Sequence, residues 1–463
     1  MSSITGLTNI DALTDLILAE RDRSREFSKS SGPVLFCVRI ALENFDSLRW
    51  LKALTQHPRV YWSDREQSLE FAGIGNVYAV EDSRGSFTDQ LDEVQALLAC
   101  SNAGDIACAF AAGAFTGNSG RDQTWSEFPA QCIVVPELAV VKIGDSATAL
   151  LSVILRDETT LDTELPRLLR IAQLLEVSAE TEESDIHLES RIDHPAKEDW
   201  EHAVTTVTDA ISNGQIDKVV LARRTDFSMA NRPDPADLLA RLAHSNPHCY
   251  RILYAPKPET AFICVSPERL FRCQGQRLST EAVAGTISRG QSEIEDLALE
   301  NRLRNSVKDR AEQDFVIAGI TNSLEPLCEK IEVSAAASVM KLSRIQHLIS
   351  EFRSILNPDA TIGKVYEALH PTAAVCGTPR IESLRVLTEL EQFERGWYAG
   401  GIGVVSAENT ELSVGIRSLL VRDKMLSVFT GAGIVKQSKP SEEWLEIEEK
   451  LQSIVHAIDG KCQ

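Results

Sequence analysis

The chain has 463 residues, 43% of them hydrophobic and 25% charged, and this ordinary globular composition excludes a fibrous or wholly disordered protein. Its 47 Lys and Arg residues against 68 Asp and Glu residues give a formal net charge of −21, which repels phosphate backbones and anionic lipids. We therefore expect no nucleic-acid partner and, since no run reaches the ~18 apolar residues of a membrane helix, no membrane span.

The first part of the chain, residues 1–175, is predicted to mix strands with helices. Apolar runs at 34–40 and 132–135 are typical of buried strands, and apolar residues recur at helical spacing over 160–176. An acidic, polar segment follows at 176–199, and its composition predicts a solvated linker rather than an acidic binding tail.

Beyond this linker, residues 200–463 hold the candidates for chemistry. An amphipathic helix that ends at Gly214 precedes a strand rich in β-branched residues over 216–227. That strand carries Lys218. The next predicted strand covers 260–265 and stops at Ser266-Pro267, directly before Glu268.

Two helices place carboxylates near their apolar stripes. A helix over 306–324 puts Glu312 on or beside the buried stripe. A carboxylate is unusual in that position, which makes Glu312 a candidate for a functional role. The last helix, from residue 441, carries a charged stripe of Glu443, Glu446 and Lys450 beside its apolar one.

Between these helices, strands over 411–421 and 425–430 favour antiparallel pairing and lead into Gly431-Ala432-Gly433, which is predicted as a turn. Strands and helices occur in clusters, without a regular βαβ rhythm. This order favours an α+β fold over a doubly wound sheet.

Each of these charged residues also has a structural explanation. A strand lysine usually lies at an exposed edge, and Glu446 with Lys450 has the spacing of a surface ion pair. The histidines form no HExxH motif and no Cys/His ligand set, so zinc is disfavoured. Carboxylates alone suit Mg²⁺, which prefers one or two of them and keeps positions for a substrate's oxygens.

An anionic substrate needs a local patch of donors in a chain of this net charge. Gly431-Ala432-Gly433 and Gly285-Thr286 are candidates to expose backbone N–H groups, although most such glycine pairs are ordinary turns. Arg417, predicted on a strand, supplies a guanidinium that can clamp a carboxylate. Nucleotide binding and acyl hydrolysis are disfavoured, because there is no Walker motif, no GxGxxG with an acidic ribose partner and no GxSxG.

Together these segments resemble the chorismate-utilising enzymes, the family of isochorismate, salicylate, anthranilate and aminodeoxychorismate synthases. The resemblance covers residues 200–455. The motifs that carry it are, in chain order, IDKVVLAR (216–223), SPERLF (266–271), TEAVAGT (280–286), KDRAEQDFV (308–316), LHPTAAVCGTPR (369–380), RGWYAGGIG (395–403), ELSVGIRS (411–418) and GAGIVKQSKPSEEWLEIEEK (431–450). Cys376 and Lys439 depart from the family pattern, and neither departure removes an implied role.

The resemblance implies a site and a mechanism. Lys218 matches a general base, and Ala284 stands where aminodeoxychorismate synthases carry a nucleophilic lysine, so water is the implied nucleophile. Lys218 must then be neutral to accept a proton, and Glu268 must be protonated to donate one to the departing C4 hydroxyl of chorismate. The implied cofactor is Mg²⁺, with these ligands: Glu312, Glu446 and, through water, Glu443. The other implied residues bind carboxylates or line the pocket: Thr286, His370, Tyr398, Arg417, Gly431, Ala432, Gly433 and Lys450.

The implied fold is α+β, with two large antiparallel β-sheets in a sandwich and helices packed outside. Residues 1–175 would supply strands to the same sandwich, within one structural domain overall. The expected activity is conversion of chorismate to isochorismate. Salicylate synthase, which goes on to eliminate pyruvate, is the alternative, and a non-catalytic carboxylate-binding protein is the rival from another class.

The expected partner is chorismate alone. We predict a monomer without a glutamine amidotransferase, since the implied nucleophile is water. Ten scattered cysteines without a CxxC pair predict reduced thiols, and the first residues lack a long apolar run, so the expected location is the cytoplasm. The sequence leaves menaquinone, phylloquinone and siderophore biosynthesis as the three alternative destinations of the product.

Overall fold

The computed structural model describes residues 10–20, 33–81, 85–117, 122–156, 160–178, 186–334, 337–342 and 345–459. Within them the chain forms two large sheets, and all the strand pairs are antiparallel. The predicted α+β architecture is confirmed. Strands from residues 1–175 occur in both sheets.

The first sheet has twelve strands. In spatial order they are β1 (Val34–Leu42), β8 (Ser146–Leu155), β7 (Leu138–Ile143), β3 (Leu69–Ile74), β2 (Arg59–Ser63), β11 (Tyr250–Lys257), β12 (Thr260–Ser266), β21 (Ser418–Arg422), β22 (Met425–Ile434), β10 (Lys218–Met229) and β18 (Gly377–Thr378), with β9 (Leu188–His194) also paired to β10.

The second sheet has ten strands. In spatial order they are β15 (Cys328–Val333), β17 (Ile345–Leu356), β14 (Arg277–Ser288), β13 (Arg269–Gln274), β20 (Asn409–Val414), β19 (Gly401–Val405), β5 (Ala109–Gly113), β6 (Gln131–Val135) and β4 (Tyr78–Glu81), with β16 (Ser338–Lys341) also paired to β17.

Eleven α-helices lie in the described part of the chain. They are α1 (Ile10–Ala19), α2 (Ser47–Ala53), α3 (Phe87–Ala99), α4 (Thr160–Ala172), α5 (Lys197–Ser212), α6 (Pro235–Ser245), α7 (Glu293–Asn305), α8 (Val307–Leu324), α9 (Ile362–Leu369), α10 (Arg380–Leu390) and α11 (Pro440–Asp459). In the residues searched, none of these helices has both the length and the apolar character needed to cross a membrane.

The apolar run of β1 shows how the sheets are fixed in the core. Leu35 belongs to a buried cluster that also contains Phe110 of the second sheet. Its neighbour Phe36 points the other way, into a cluster shared with Leu238 of α6 and Leu451 of α11. Because successive strand side chains face opposite sides, a strand covered on both sides reads as a continuous apolar run.

The acidic segment 176–199 differs from the predicted linker. Residues 179–185 lie outside the described residues, but β9 pairs with β10 over Leu188 to His194. The side chains of β9 are mostly exposed, and Arg191 of this strand forms an ion pair with Glu448 of α11 at 2.5 Å. A polar strand held by backbone hydrogen bonds has no apolar alternation, so composition alone misidentified it.

Candidate active site

A cavity lies between the two sheets, beside α8 and α11. The space between its lining side chains, counted together with the open mouth, is about 840 Å³. Most residues predicted for the site line it: Glu268, Thr286, Glu312, Arg417, Gly431, Gly433, Glu446 and Lys450.

Two connections between the sheets place an acid and an arginine in this cavity. Strand β12 belongs to the first sheet and β13 to the second, so Glu268 lies where the chain crosses. The predicted strand 411–421 is in fact two strands, β20 and β21, and the chain crosses back between them at Arg417, which has a φ of 52°. The crossings are bonded together: the N–H of Val414 donates to the Glu268 carbonyl (3.1 Å) and that of Val265 to the Arg417 carbonyl (3.2 Å).

The carboxyl of Glu268 is buried, with the residue only 4% exposed. Burial raises its pKa to about 8; the charge of Glu281 adds to the rise, while Lys218 and Arg65 oppose it. At neutral pH the side chain therefore holds a proton in a cavity, which is the state required of a general acid.

This raised pKa predicts a pH-dependent stability. The pKa of Glu268 is about 8 in the folded protein against an ordinary value of 4.5, so the folded state binds the proton more tightly. The stabilisation from this proton is complete below the ordinary pKa and is lost as the pH rises to about 8. We expect the melting temperature of Glu268→Gln, relative to the wild type, to rise across about pH 5, 7 and 9 in thermal unfolding. A difference independent of pH would contradict the raised pKa.

Lys218 is the first residue of β10 and is fully buried. Its Nζ lies 3.0 Å from Glu312 Oε1, and this ion pair lacks hydrogen-bond geometry, so Nζ donates to no acceptor within the described residues. A Cβ at Gly433 would collide with the Glu312 carboxylate and lie 3.1 Å from the Lys218 Cε. Glycine at 433 therefore lets the lysine and the carboxylate meet at the cavity wall.

Three glutamates around the cavity are each paired with a lysine. The pairs are Lys218–Glu312 at 3.0 Å, Lys450–Glu446 at 2.8 Å and Lys308–Glu443 at 2.6 Å. Burial raises the pKa of Glu443, and the charge of Glu446 adds to this rise. For Glu446 the effect of burial is outweighed by Lys450 and Lys308, so its pKa is lowered. The opposite directions of these shifts favour the protonated form at Glu443 and the ionised form at Glu446, which lines the cavity.

These carboxylates are compatible with Mg²⁺. No three His, Cys, Asp or Glu side chains form a ready metal cage among the residues searched. However, Glu312 and Glu446 line the cavity, and the buried Oε2 of Glu443 accepts no hydrogen bond from the described residues. Since Mg²⁺ is commonly bound by one or two carboxylates, waters and substrate oxygens, this donor set fits that ion.

Arg417 is anchored by a histidine that the sequence analysis did not assign to the site. His347 of β17 lines the cavity; its Nδ1 lies 3.0 Å from the Gly285 carbonyl and 3.1 Å from Thr286 Oγ1. A carbonyl only accepts, so Nδ1 carries the proton and Nε2 accepts from Arg417 Nη2 at 3.5 Å. Burial lowers the pKa of His347 to about 3, and Arg417 adds to the shift. The only signal for this residue in the sequence was a histidine within QHLISEF (346–352).

The Gly431-Ala432-Gly433 sequence is not the turn that we predicted. It lies within β22, where Gly431 pairs with Ala222 and Gly433 with Val220 of β10. Because strand side chains alternate, both glycines line the cavity, whereas Ala432 is buried in the apolar core. Lys450 Nζ donates to the Gly431 carbonyl (2.8 Å).

His370 and Tyr398 are not among the residues that line the cavity. His370 Nε2 is 3.1 Å from the Ala114 carbonyl, and burial lowers the pKa of its imidazole to about 4. Tyr398 stacks on Phe429 with ring centroids 5.3 Å apart, and its hydroxyl lies 2.8 Å from the position of a Cβ on Gly431, which would point into the cavity. Substrate binding by His370 and Tyr398 stays a prediction.

The fold and the cavity define a two-sheet enzyme with a site for a small anion. The buried acid Glu268, Lys450 and Arg417 surround this site. The family model described as chorismate binding enzyme matches residues 22–459, which is most of the chain. The protein belongs to this chorismate-binding enzyme family, and the resemblance seen in its motifs is confirmed.

Several relatives within the family are isochorismate synthases. The isochorismate synthase MenF of Haemophilus influenzae is 32% identical over 418 residues, which cover 90% of each chain. MenF of Escherichia coli is 30% identical over 94% of this chain and 96% of its own. The structure of the menaquinone-specific MenF from Escherichia coli matches with a TM-score of 0.82 and 26% identity, over 97% of this chain and 100% of that one.

The fold also extends to a different activity. Anthranilate synthase component I from Streptococcus pneumoniae matches with a TM-score of 0.67 and 23% identity, over 87% of this chain and 91% of its own. At that identity the match shows a shared fold alone.

Proposed function

We propose that this enzyme is an isochorismate synthase, an isomerase that converts chorismate to isochorismate. The observation that carries the proposal is the cavity, which is lined by Glu268, with a pKa of about 8, and by Glu312, the partner of the buried Lys218. The full-length similarity to isochorismate synthases supports the choice among the family's reactions.

Glu268 is the proposed general acid. The C4–O bond of chorismate breaks as Glu268 supplies a proton, so the hydroxyl leaves as water. The ring double bonds shift toward C4 as the new C2–O bond forms. The pKa of about 8 keeps the acid protonated at neutral pH without making it too weak to donate.

Lys218 is the proposed general base. Its Nζ accepts the proton of the water that adds to C2, and the resulting ammonium is stabilised by Glu312 at 3.0 Å. The lysine gains one proton and the acid loses one, so exchange with solvent resets the site. Ala284 lines the cavity with a methyl group that cannot attack, so the nucleophile is not a side chain at this position; we propose water, which needs no glutamine amidotransferase.

Arg417 and Lys450 are proposed to hold the two carboxylates of chorismate. Both line the cavity, and Arg417 is held from behind by Asn246 (3.2 Å) and His347 (3.5 Å). A guanidinium fixed in this way binds a carboxylate with little loss of side-chain entropy.

We propose Mg²⁺ as the cofactor, held by Glu312 and Glu446, with Glu443 acting through water. The ion would supply positive charge to neutralise the ring carboxylate and so favour attack at C2. With the ion present, Glu312 and Glu446 would be shared between the metal and the lysines, so Lys218 and Lys450 would be less tightly paired and their amines would be available to water and substrate.

Product analysis tests the proposed function. Purified protein is incubated with chorismate and Mg²⁺, with and without EDTA, and the products are resolved by chromatography over time. We expect isochorismate to accumulate to a mixture with chorismate, and conversion to stop with EDTA. Salicylate plus pyruvate would replace the proposal with salicylate synthase, and no metal-dependent conversion would reject it.

The metal proposal predicts the behaviour of Glu312→Gln. Losing a ligand carboxylate should cost at least the loss of about 10- to 100-fold in metal affinity or activity that follows removal of a group orienting a ligand, so we expect a higher Mg²⁺ requirement or no turnover. The measurement is initial rate against Mg²⁺ concentration. Glu300→Gln is the matched control, because Glu300 also pairs with a lysine, Lys341 at 2.9 Å, but lies outside the cavity. Equal Mg²⁺ dependence of Glu312→Gln and the wild type would reject this ligand.

A further inference from the structure

The segment that carries Glu268 is fixed along its backbone. The N–H of Glu268 donates to Ser266 Oγ at 3.2 Å, and its carbonyl accepts from the N–H of Val414 at 3.1 Å. Residues 267–268 form the whole connection between β12 and β13, so small movements at either end would displace the acid.

The ion pair between Arg65 and Glu281 is hydrogen-bonded to both ends of this connection. Arg65 Nη1 donates to the carbonyl of Pro267 at 2.8 Å, just before the acid. Glu281 accepts from the N–H of Arg269 at 2.7 Å, just after it. Arg65 and Glu281 join through two hydrogen bonds of 2.8 and 3.0 Å, in the bidentate geometry that fixes both side chains.

Arg65 comes from the N-terminal part of the chain, on the turn between β2 and β3. The side chain of Asp64 holds this turn by accepting from the N–H of Ser68 (2.7 Å) and of Leu69 (3.2 Å). The guanidinium also lies over the ring of Tyr250, 5.4 Å from its centroid. The arginine is therefore preorganised before any substrate arrives.

We infer that Arg65 and Glu281 are positioning residues, which together clamp the 267–269 segment and hold Glu268 in place for proton transfer. The inference rests on the proposed role of Glu268 as the acid. It gives the N-terminal part of the chain a role in catalysis besides its share of the sheets. Neither residue lines the cavity, so both act through Glu268 rather than on the substrate.

The two members of the clamp have opposite charges near the acid. The charged groups that act on Glu268 are Glu281 on β14, Arg65 and Lys218 on β10, and the charge of Glu268 in turn raises the pKa of Tyr398. Glu281 raises the pKa of Glu268 and Arg65 lowers it, besides the larger effect of burial. Removing one charge therefore leaves the other unbalanced, and the two removals must shift the acid in opposite directions.

The test is the pH dependence of kcat for Glu281→Gln and Arg65→Gln, with isochorismate measured as product. We expect the alkaline limb of the profile, which is the fall of kcat at high pH, to move by about one pH unit. It should move to lower pH for Glu281→Gln and to higher pH for Arg65→Gln. A loosened segment should also lower kcat by about 10- to 100-fold with little change in KM. A merely structural pair would not give opposite shifts.

Glu411→Gln is the matched control. Glu411 is also buried and pairs with Arg269 at 3.0 Å, but its charge is not among the main influences on Glu268. We expect the alkaline limb of this variant to stay with that of the wild type. The double variant Arg65→Gln/Glu281→Gln removes both charges, so its limb should return toward the wild-type pH while kcat stays low.

Shifts in the same direction, no shifts, or an equal shift in Glu411→Gln would overturn the clamp. If a single variant fails to fold, which circular dichroism would show, the double variant still decides, because wild-type kcat would contradict the inference. The wild type separates this result from the proposed function: if it makes no isochorismate, the function fails, whereas normal product with unshifted variants rejects the clamp alone.

Discussion

Replacing Lys218 with alanine is expected to lower kcat by about 10²- to 10⁴-fold, the usual contribution of a positioned general base. Chorismate should still bind, because the carboxylate-holding groups Arg417 and Lys450 are on other elements. The measurements are kcat from product formation and chorismate affinity from calorimetry. Turnover at the wild-type rate would reject Lys218 as the base.

The control must separate loss of the base from loss of a buried ion pair. Lys52→Ala serves this purpose, since Lys52 is partly buried and pairs with Asp237 at 2.8 Å, away from the cavity. Its kcat should stay within about twofold of the wild type, because a partly exposed pair contributes only modestly to stability. A similar loss in both variants would indicate destabilisation rather than catalysis.

Replacing Glu268 with glutamine should reduce kcat by a comparable factor of about 10²- to 10⁴-fold, since an amide keeps the shape of the side chain but cannot serve as the acid. In the wild type, kcat should fall above about pH 8, because the pKa of Glu268 is about 8 and the acid loses its proton there. The measurement is kcat against pH for both proteins.

Glu70→Gln is the matched control for this substitution. Glu70 accepts a hydrogen bond from Tyr61 at 2.9 Å and lies outside the cavity. We expect it to retain both the rate and the alkaline limb. Should Glu268→Gln keep its rate, or should the wild-type rate stay flat well above pH 8, Glu268 is not the acid.

The pH dependence of the acid constrains the mechanism. Glu268 must be protonated to donate, so the active fraction falls as the pH rises past its pKa of about 8. The alkaline limb belongs to Glu268 in this proposal. An alkaline limb that survives in a slow Glu268→Gln enzyme would assign it to another group.

The sequence alone determined the local elements and the family. The apolar run at 34–40 predicted β1, and the spacing of Ile447, Leu451 and Ile454 predicted the buried stripe of α11. These features depend on neighbours a few residues apart, which is the range that fixes backbone periodicity. The motif order determined the family, and with it the α+β fold, because such motifs keep their spacing in the chain.

The site assignments from the motifs stay predictions, but the structure brings most of those residues to one cavity. It also shows where local reasoning fails. Gly431-Ala432-Gly433 has the composition of a turn and lies in β22, because pairing with β10 continues through it. His370 lies in a family motif, yet its ring is buried against the Ala114 carbonyl. In both cases a segment distant in the sequence decides the local arrangement: β10 through backbone pairing and the Ala114 carbonyl through a hydrogen bond.

Only the tertiary structure decided how the acid is held. Arg65 and Glu281 are 216 residues apart in the chain, and neither has a sequence signal that connects it to Glu268. The strand order of the two sheets brings them together, and the crossing from β12 to β13 directs Glu268 into the cavity. Sequence patterns indicate which faces of an element are buried. The register between distant strands sets which charged groups meet, and charged groups at close range determine the pKa of the acid.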